Sequence, residues 1–192
     1  MTGRTHDLAA FTALNIVFVT AALPRMSIAT AFVALGANMI GGLFPDIDNA
    51  TSDIWDKFRG GTVAGRIIKP LIGGHRMLSH SLCGLALTGF VLKKILPAVG
   101  TVLIADMEIV WWSVMVGYAS HLITDSLTTQ GVPWLFPLPV RIGFPPIRQL
   151  RIRTGGFVEK IVVFPGLLIL NGYLLYIRYP LYLGFVKALG GQ

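Results

Sequence analysis

The sequence predicts an all-α fold, a polytopic membrane helical bundle with about four to five spanning helices and two long loops on one face. Three observations lead there. Of 192 residues, 54% are hydrophobic and only 13% charged, with mean hydropathy +0.69, whereas soluble domains carry about a quarter charged residues. Apolar stretches recur at 8–23, 27–44, 77–92, 108–124 and 161–177. Two polar connections, 45–76 and 125–160, interrupt them, and connections this long inside a small protein are usually functional. A single membrane-embedded domain over 1–192 is expected.

The first stretch follows His6 and ends at Leu23-Pro24-Arg25, which is not a small-residue cleavage site. It is therefore expected to stay as a helix and not be removed as a signal. The second runs into Gly42-Leu43-Phe44-Pro45-Asp46-Ile47-Asp48-Asn49, where Pro45 is expected to stop it by forcing the preceding residue out of the α region. The third opens near His80, and a shorter apolar piece at 95–105 contains Pro97 and Gly100. That piece is too short to cross alone; it is expected to lie at the interface or to lengthen the fourth helix. Each main stretch falls short of the ~20 residues a bilayer needs, so the helices should extend into their polar ends. A peripheral C-terminal segment with four spans is the alternative. Cys83 lies in an apolar run and reads as a small core residue.

Five alternating spans place the N-terminus, 45–76 and 125–160 on one face. That face holds eleven of the sixteen Lys and Arg residues, so the positive-inside rule puts it in the cytoplasm. The formal charge of +7 suits anionic lipid. No helix-turn-helix or aromatic-basic motif accompanies it, so nucleic acid is not expected as a partner. Trp134, Phe136 and Phe144 are suited to head-group depth.

The same face collects the chemistry. Asp46 and Asp48 are one residue apart and repel unless a cation or shared protons sit between them. All four histidines, His6, His75, His80 and His121, fall on this side. His121 and Asp125 are spaced i,i+4 and project from one helical face. Asp125 merely orienting a neutral histidine, or capping the next turn, is the competing reading. His75 and His80 are five apart, which places His75 in the loop and His80 in the helix, with Ser79 and Ser81 as supporting donors. These seven nitrogen and oxygen ligands suffice for one or two divalent ions, zinc, manganese or iron. Arg148, Arg151 and Arg153 precede Thr154-Gly155-Gly156. Arginine forks onto phosphate and Gly-rich backbone can approach it, although a basic loop touching anionic lipid would look the same. Glu159 is a candidate proton carrier or ligand, or a plain helix-start acid.

His6, Pro45-Asp46-Ile47-Asp48, His75-Arg76-Met77-Leu78-Ser79-His80-Ser81, His121-Leu122-Ile123-Thr124-Asp125 and Thr154-Gly155-Gly156 with Glu159 together resemble one family. It is the family of bacterial inner-membrane-associated proteins held to be metal-dependent hydrolases, which includes a LexA-regulated member. The likeness runs from the N-terminus to about residue 160. It implies a multi-span protein with a divalent-metal hydrolase site built from these His and Asp positions, and no particular substrate or metal.

The expectation is thus a multi-pass inner-membrane, metal-dependent hydrolase whose site faces the cytoplasm. Its substrate would be phosphate-bearing or otherwise anionic, a small molecule or a lipid in the bilayer. Arg76, Arg148, Arg151, Arg153, Thr154 and Gly155 would hold the anionic group, and Arg76 and Glu159 would take part in the chemistry. The alternative is a protein that binds or transports metal without hydrolysis; a non-enzymatic scaffold ranks third.

Overall fold

The computed structural model describes residues 1–21, 26–48, 77–138 and 140–190. The described residues form six α-helices: α1 Gly3–Thr20, α2 Ile28–Leu43, α3 Leu82–Leu103, α4 Met107–Ser126, α5 Phe164–Ile177 and α6 Tyr179–Gly190. There is no β-strand among the described residues; two isolated bridges, Thr128 to Ile152 and Val132 to Ile142, pin the loop after α4. Among the described residues, three segments are long and apolar enough to cross a membrane: Ile28–Asp46, Leu82–Gly100 and Glu159–Ile177. Helices α1 and α4 fall outside that set because they carry the polar residues the interior needs, among them His6, Asp7, Asn15, Ser120, His121 and Asp125.

Several element boundaries differ from the sequence expectation. Helix α1 starts at Gly3 and takes in His6, since nothing in Gly3-Arg4-Thr5 breaks a helix. Phe44 keeps an α conformation although Pro45 follows it. The chain therefore tightens into a 3-10 turn, Phe44–Asp48, and does not break. The 95–105 piece does not lengthen the fourth helix, because α3 runs through Pro97 to Leu103. It ends only where Ile104 adopts a left-handed conformation (φ 48°). The start of α3 lies later than expected: Ser81 is its N-cap, accepting from the Gly84 amide, and this leaves His80 in the preceding turn.

The bundle is more polar inside than outside. Among the described residues more polar than apolar side chains are buried, and Phe32, Phe90, Ile169 and Tyr176 lie on the outer surface. That is how a chain solvated by lipid distributes its side chains, because apolar surface facing acyl chains costs nothing there. Helices α2 and α4 approach most closely. A Cβ on Gly117 would lie 2.1 Å from the Asn38 carbonyl oxygen, and one on Gly41 2.2 Å from that of Val114. Asn38 then reaches across and donates to the Ser113 carbonyl at 3.0 Å.

A small apolar cluster of Tyr118, Leu122 and Val132, backed by Phe44, Leu85 and Trp134, locks one end of the bundle. Trp134 anchors the loop: its indole donates to Ser126 Oγ at 2.8 Å, and its carbonyl accepts from the Leu82 amide at 3.1 Å. Phe136 is half-buried and Phe144 exposed. Cys83 is not a core residue; it is exposed, with its thiol on the Phe136 carbonyl at 3.3 Å.

Candidate metal centre

The antiparallel course of the helices returns five ligand-type side chains to one end of the bundle. His6 comes from the first turns of α1, Asp46 from the 3-10 turn after α2, and His80 from the turn before α3. His121 and Asp125 lie one turn apart near the end of α4. The three histidines and Asp125 are fully buried. The His6 and His121 rings stack with centroids 3.7 Å apart, and the His80 ring meets His121 edge-on at 5.3 Å. Residues 115 positions apart in sequence thus touch.

The supporting bonds fix which nitrogens face inward. His121 Nδ1 lies 2.6 Å from the Gly42 carbonyl, which only accepts, so Nδ1 carries the proton and Nε2 presents its lone pair. Thr124 Oγ1 gives its one proton to the carbonyls of Ser120 and His121. It therefore accepts from His6 Nδ1, 3.0 Å away, and His6 Nε2 also points inward as an acceptor. Ser79 Oγ stands 3.1 Å from His80 Nδ1, and Tyr118 holds that turn by donating to the Ser79 carbonyl at 2.5 Å.

The inward-facing atoms are nearly all acceptors. His121 Nε2 lies 3.9 Å from Asp46 Oδ1 and 3.8 Å from Asp125 Oδ2. His80 Nε2 is 3.6 Å from Asp46 Oδ1 and 3.8 Å from Asp125 Oδ2. His6 Nε2 is 3.2 Å from Asp125 Oδ1. Most of these separations exceed a hydrogen bond, yet ligands ~2.1 Å from a tetrahedral ion sit about 3.4 Å apart. His121 Nε2 is buried with no hydrogen-bond partner among the described residues, a costly arrangement unless a cation accepts its lone pair. Asp125 already draws one positive charge, the Met1 ammonium, to Oδ1. The donor set fits a divalent metal. Two trios, His6, Asp46 and His121, and His80, His121 and Asp125, keep their donor atoms within 4.8 Å of one another. A histidine whose second nitrogen donates to a carbonyl is also the usual form of a metal ligand.

His75 and Arg76 fall outside the described residues, as does the Asp48 side chain. Glu159 is buried but belongs to neither trio. Its Oε1 accepts from the Thr2 amide and hydroxyl, both at 2.7 Å, and its Oε2 from the Gly155 amide at 2.8 Å. Glu159 thus ties the N-terminus to the Thr154–Gly156 turn, and the Gly155 amide expected to meet an anion is engaged by this carboxylate. Arg151 is a loop brace, donating to the carbonyls of Pro145 at 2.7 Å and Pro146 at 3.0 Å. Arg148 donates to the Thr129 carbonyl at 3.0 Å; Arg153 and Thr154 are exposed. Sequence reading overlooked Thr124 and the Gly42 carbonyl, which orient His6 and His121. Thr124 carried a signal, since it lies between His121 and Asp125 on the ligand-bearing turn.

Comparison with known proteins agrees with a membrane setting. A family model described as "YdjM inner membrane protein" matches residues 1–186. The chain is also similar to a Bacillus subtilis (strain 168) protein named "Uncharacterized protein YvsG", 30% identical over 179 residues, covering 93% of this chain and 97% of the relative. No solved structure matches.

Proposed function

The chain belongs to the YdjM inner membrane protein family, and we propose that it is a membrane-embedded, divalent-metal-dependent hydrolase acting on a phosphoester or lipid-linked substrate at the cytoplasmic surface. The observation that carries this reading is the convergence of three buried imidazoles and two carboxylates with their acceptor atoms 3.2–3.9 Å apart. His6, Asp46, His80, His121 and Asp125 would hold the metal, with His75 and Asp48 as further ligands from the sequence pattern. A zinc, manganese or iron ion bound there supplies Lewis acidity, activating a water and steadying a leaving oxygen. Thr124 and the Gly42 carbonyl keep the imidazoles in the ligand tautomer. Arg148 and Arg153, on the same side of the chain as the cluster, add positive charge for an anionic group. The excess of basic residues on the expected face supports a cytoplasmic orientation.

One observation favours a second reading, metal binding without hydrolysis. Glu159 and Arg151, two of the groups expected to take part in the chemistry or to hold substrate, spend their hydrogen bonds on holding the loop and the N-terminus in place. The two readings separate in one experiment. Purified protein in mild detergent is assayed for hydrolysis of a panel of phosphomonoesters, phosphodiesters and phospholipids, with and without chelator. Cleavage that chelator abolishes, that added metal restores and that His80→Ala lacks is expected. Bound metal with no cleavage across the panel gives the second reading.

A further inference from the structure

The loop between α4 and α5 carries an apolar tip that the metal centre does not use. Within residues 140–150, Val140, Ile142, Phe144, Ile147 and Leu150 are all exposed. Phe144, Ile147 and Leu150 are 68%, 58% and 66% exposed, more than a tip facing only water would present in so short a stretch. Its charge is one-sided as well: residues 127–158 contain Arg141, Arg148, Arg151 and Arg153 and no Asp or Glu. We propose that this loop is an interfacial lipid-binding element, with Phe144, Ile147 and Leu150 among acyl chains and Arg141 and Arg148 on the phosphates of anionic phospholipid.

Depth, backbone and charge single out that partner. The Trp134 carbonyl accepts from the amide of Leu82 at 3.1 Å, and Leu82 opens one segment able to span the membrane. The loop itself runs into Glu159, which opens another. Its middle is tied to the end of α4, where the Phe144 amide donates to the Ser126 carbonyl at 2.8 Å and the Ile152 amide to the Leu127 carbonyl at 2.9 Å. The tip is therefore held at the level where two spans enter the bilayer. Its backbone is prepared for an apolar setting, in which polar main-chain groups must be satisfied internally. Ile142 exchanges both of its hydrogen bonds with Val132. Pro145 and Pro146 have no N–H to satisfy, and Arg151 donates to both of their carbonyls. The charge then selects the head group. Among the described residues the partners of Arg148 and Arg151 are carbonyls, which leave the positive charge in place. The 49–76 connection adds five Lys or Arg against two Asp, so it increases the excess. Such a surface attracts an anionic leaflet, whereas a second copy of this loop would bring like charge against it.

The test uses full-length protein in vesicles of phosphatidylethanolamine and phosphatidylglycerol. Phe144→Cys, Ile147→Cys and Leu150→Cys are made singly in a Cys83→Ser background, checked for unchanged helix content and labelled with a nitroxide. Spin relaxation then compares access to oxygen, which concentrates among acyl chains, with access to a water-soluble nickel chelate. Oxygen access exceeding nickel access is expected at all three positions. Nickel access exceeding oxygen access at two or more of them would overturn the insertion, as would protection from both reagents, the mark of a covering protein surface. Head-group choice is read by native mass spectrometry of the unaltered protein with equimolar phosphatidylglycerol and phosphatidylcholine. A preference for phosphatidylglycerol is expected, and Arg141→Gln should lower it about fivefold, the effect of one cation at an anionic membrane surface. Equal retention of the two lipids by the unaltered protein would overturn the anionic assignment. A preference that Arg141→Gln leaves unchanged would remove this loop as its source.

Discussion

At the scale of single residues, the cluster is defined by which atoms lack a proton. The Gly42 carbonyl forces the His121 proton onto Nδ1, and Thr124 does the same for His6 because its own proton is committed to backbone carbonyls. Replacing such supporting partners typically costs ~10–100-fold in metal affinity. Thr124→Val, close in shape but without the hydroxyl, is therefore expected to weaken metal binding by about that factor while leaving helix content unchanged. Competitive titration with a chromogenic chelator measures this, and affinity equal to the unaltered protein would show that Thr124 does not orient His6. The His121 and Asp125 pair was legible because i,i+4 spacing fixes a shared helical face. The uses of Glu159 and Arg151 were not, because a carboxylate or guanidinium in a loop satisfies local backbone as readily as a ligand, and sequence alone does not distinguish the two. Glu159→Gln keeps the shape but weakens acceptance from the Thr2 and Gly155 amides, since bonds to charged groups contribute ~1.5–3 kcal/mol. A lower thermal midpoint with unchanged metal content is the expected outcome, read by thermal melts and metal analysis on the same sample.

At the scale of elements, the contact between α2 and α4 sets the distance from Asp46 to His121. It depends on Gly41 and Gly117, where a Cβ would enter a neighbouring carbonyl. Forcing extra atoms into a packed contact costs about 1–3 kcal/mol. Gly117→Ala is expected to lower the thermal midpoint and also the metal occupancy, because it pushes α2 and its 3-10 turn away from α4. A destabilised protein with full occupancy would mean that Asp46 is not held by this contact. The helices themselves were readable from apolar runs, but their ends were not. Pro45 and Pro97 mark this most clearly. The first tightens the chain into a 3-10 turn and the second is carried inside α3, since lipid-facing helices tolerate proline where local adjustment satisfies the freed carbonyl.

At the scale of the whole molecule, the antiparallel course of α1 to α4 makes one rim out of distant sequence. The loop after α4 and the N-terminus share that rim through the Glu159 tie. In a Cys83→Ser background, single cysteines at exposed Arg153 and at exposed Ile104 are expected to react with an impermeant thiol reagent from opposite sides of the membrane. Labelling of both from one side would contradict this course of the chain. The clustering of histidines and aspartates was visible in the sequence because alternating spans return alternate connections to one side. The depth of the cluster was not, because it depends on how far α1 and α4 bury their polar faces against α2 and α3. The most direct measurement is the metal content of the protein purified in mild detergent, by inductively coupled plasma mass spectrometry, alongside His121→Ala. His121 belongs to both trios, so one or two divalent ions per chain are expected, with a loss of most of that metal in the variant. A stoichiometry near zero, unchanged by His121→Ala, would contradict a metal centre at this rim.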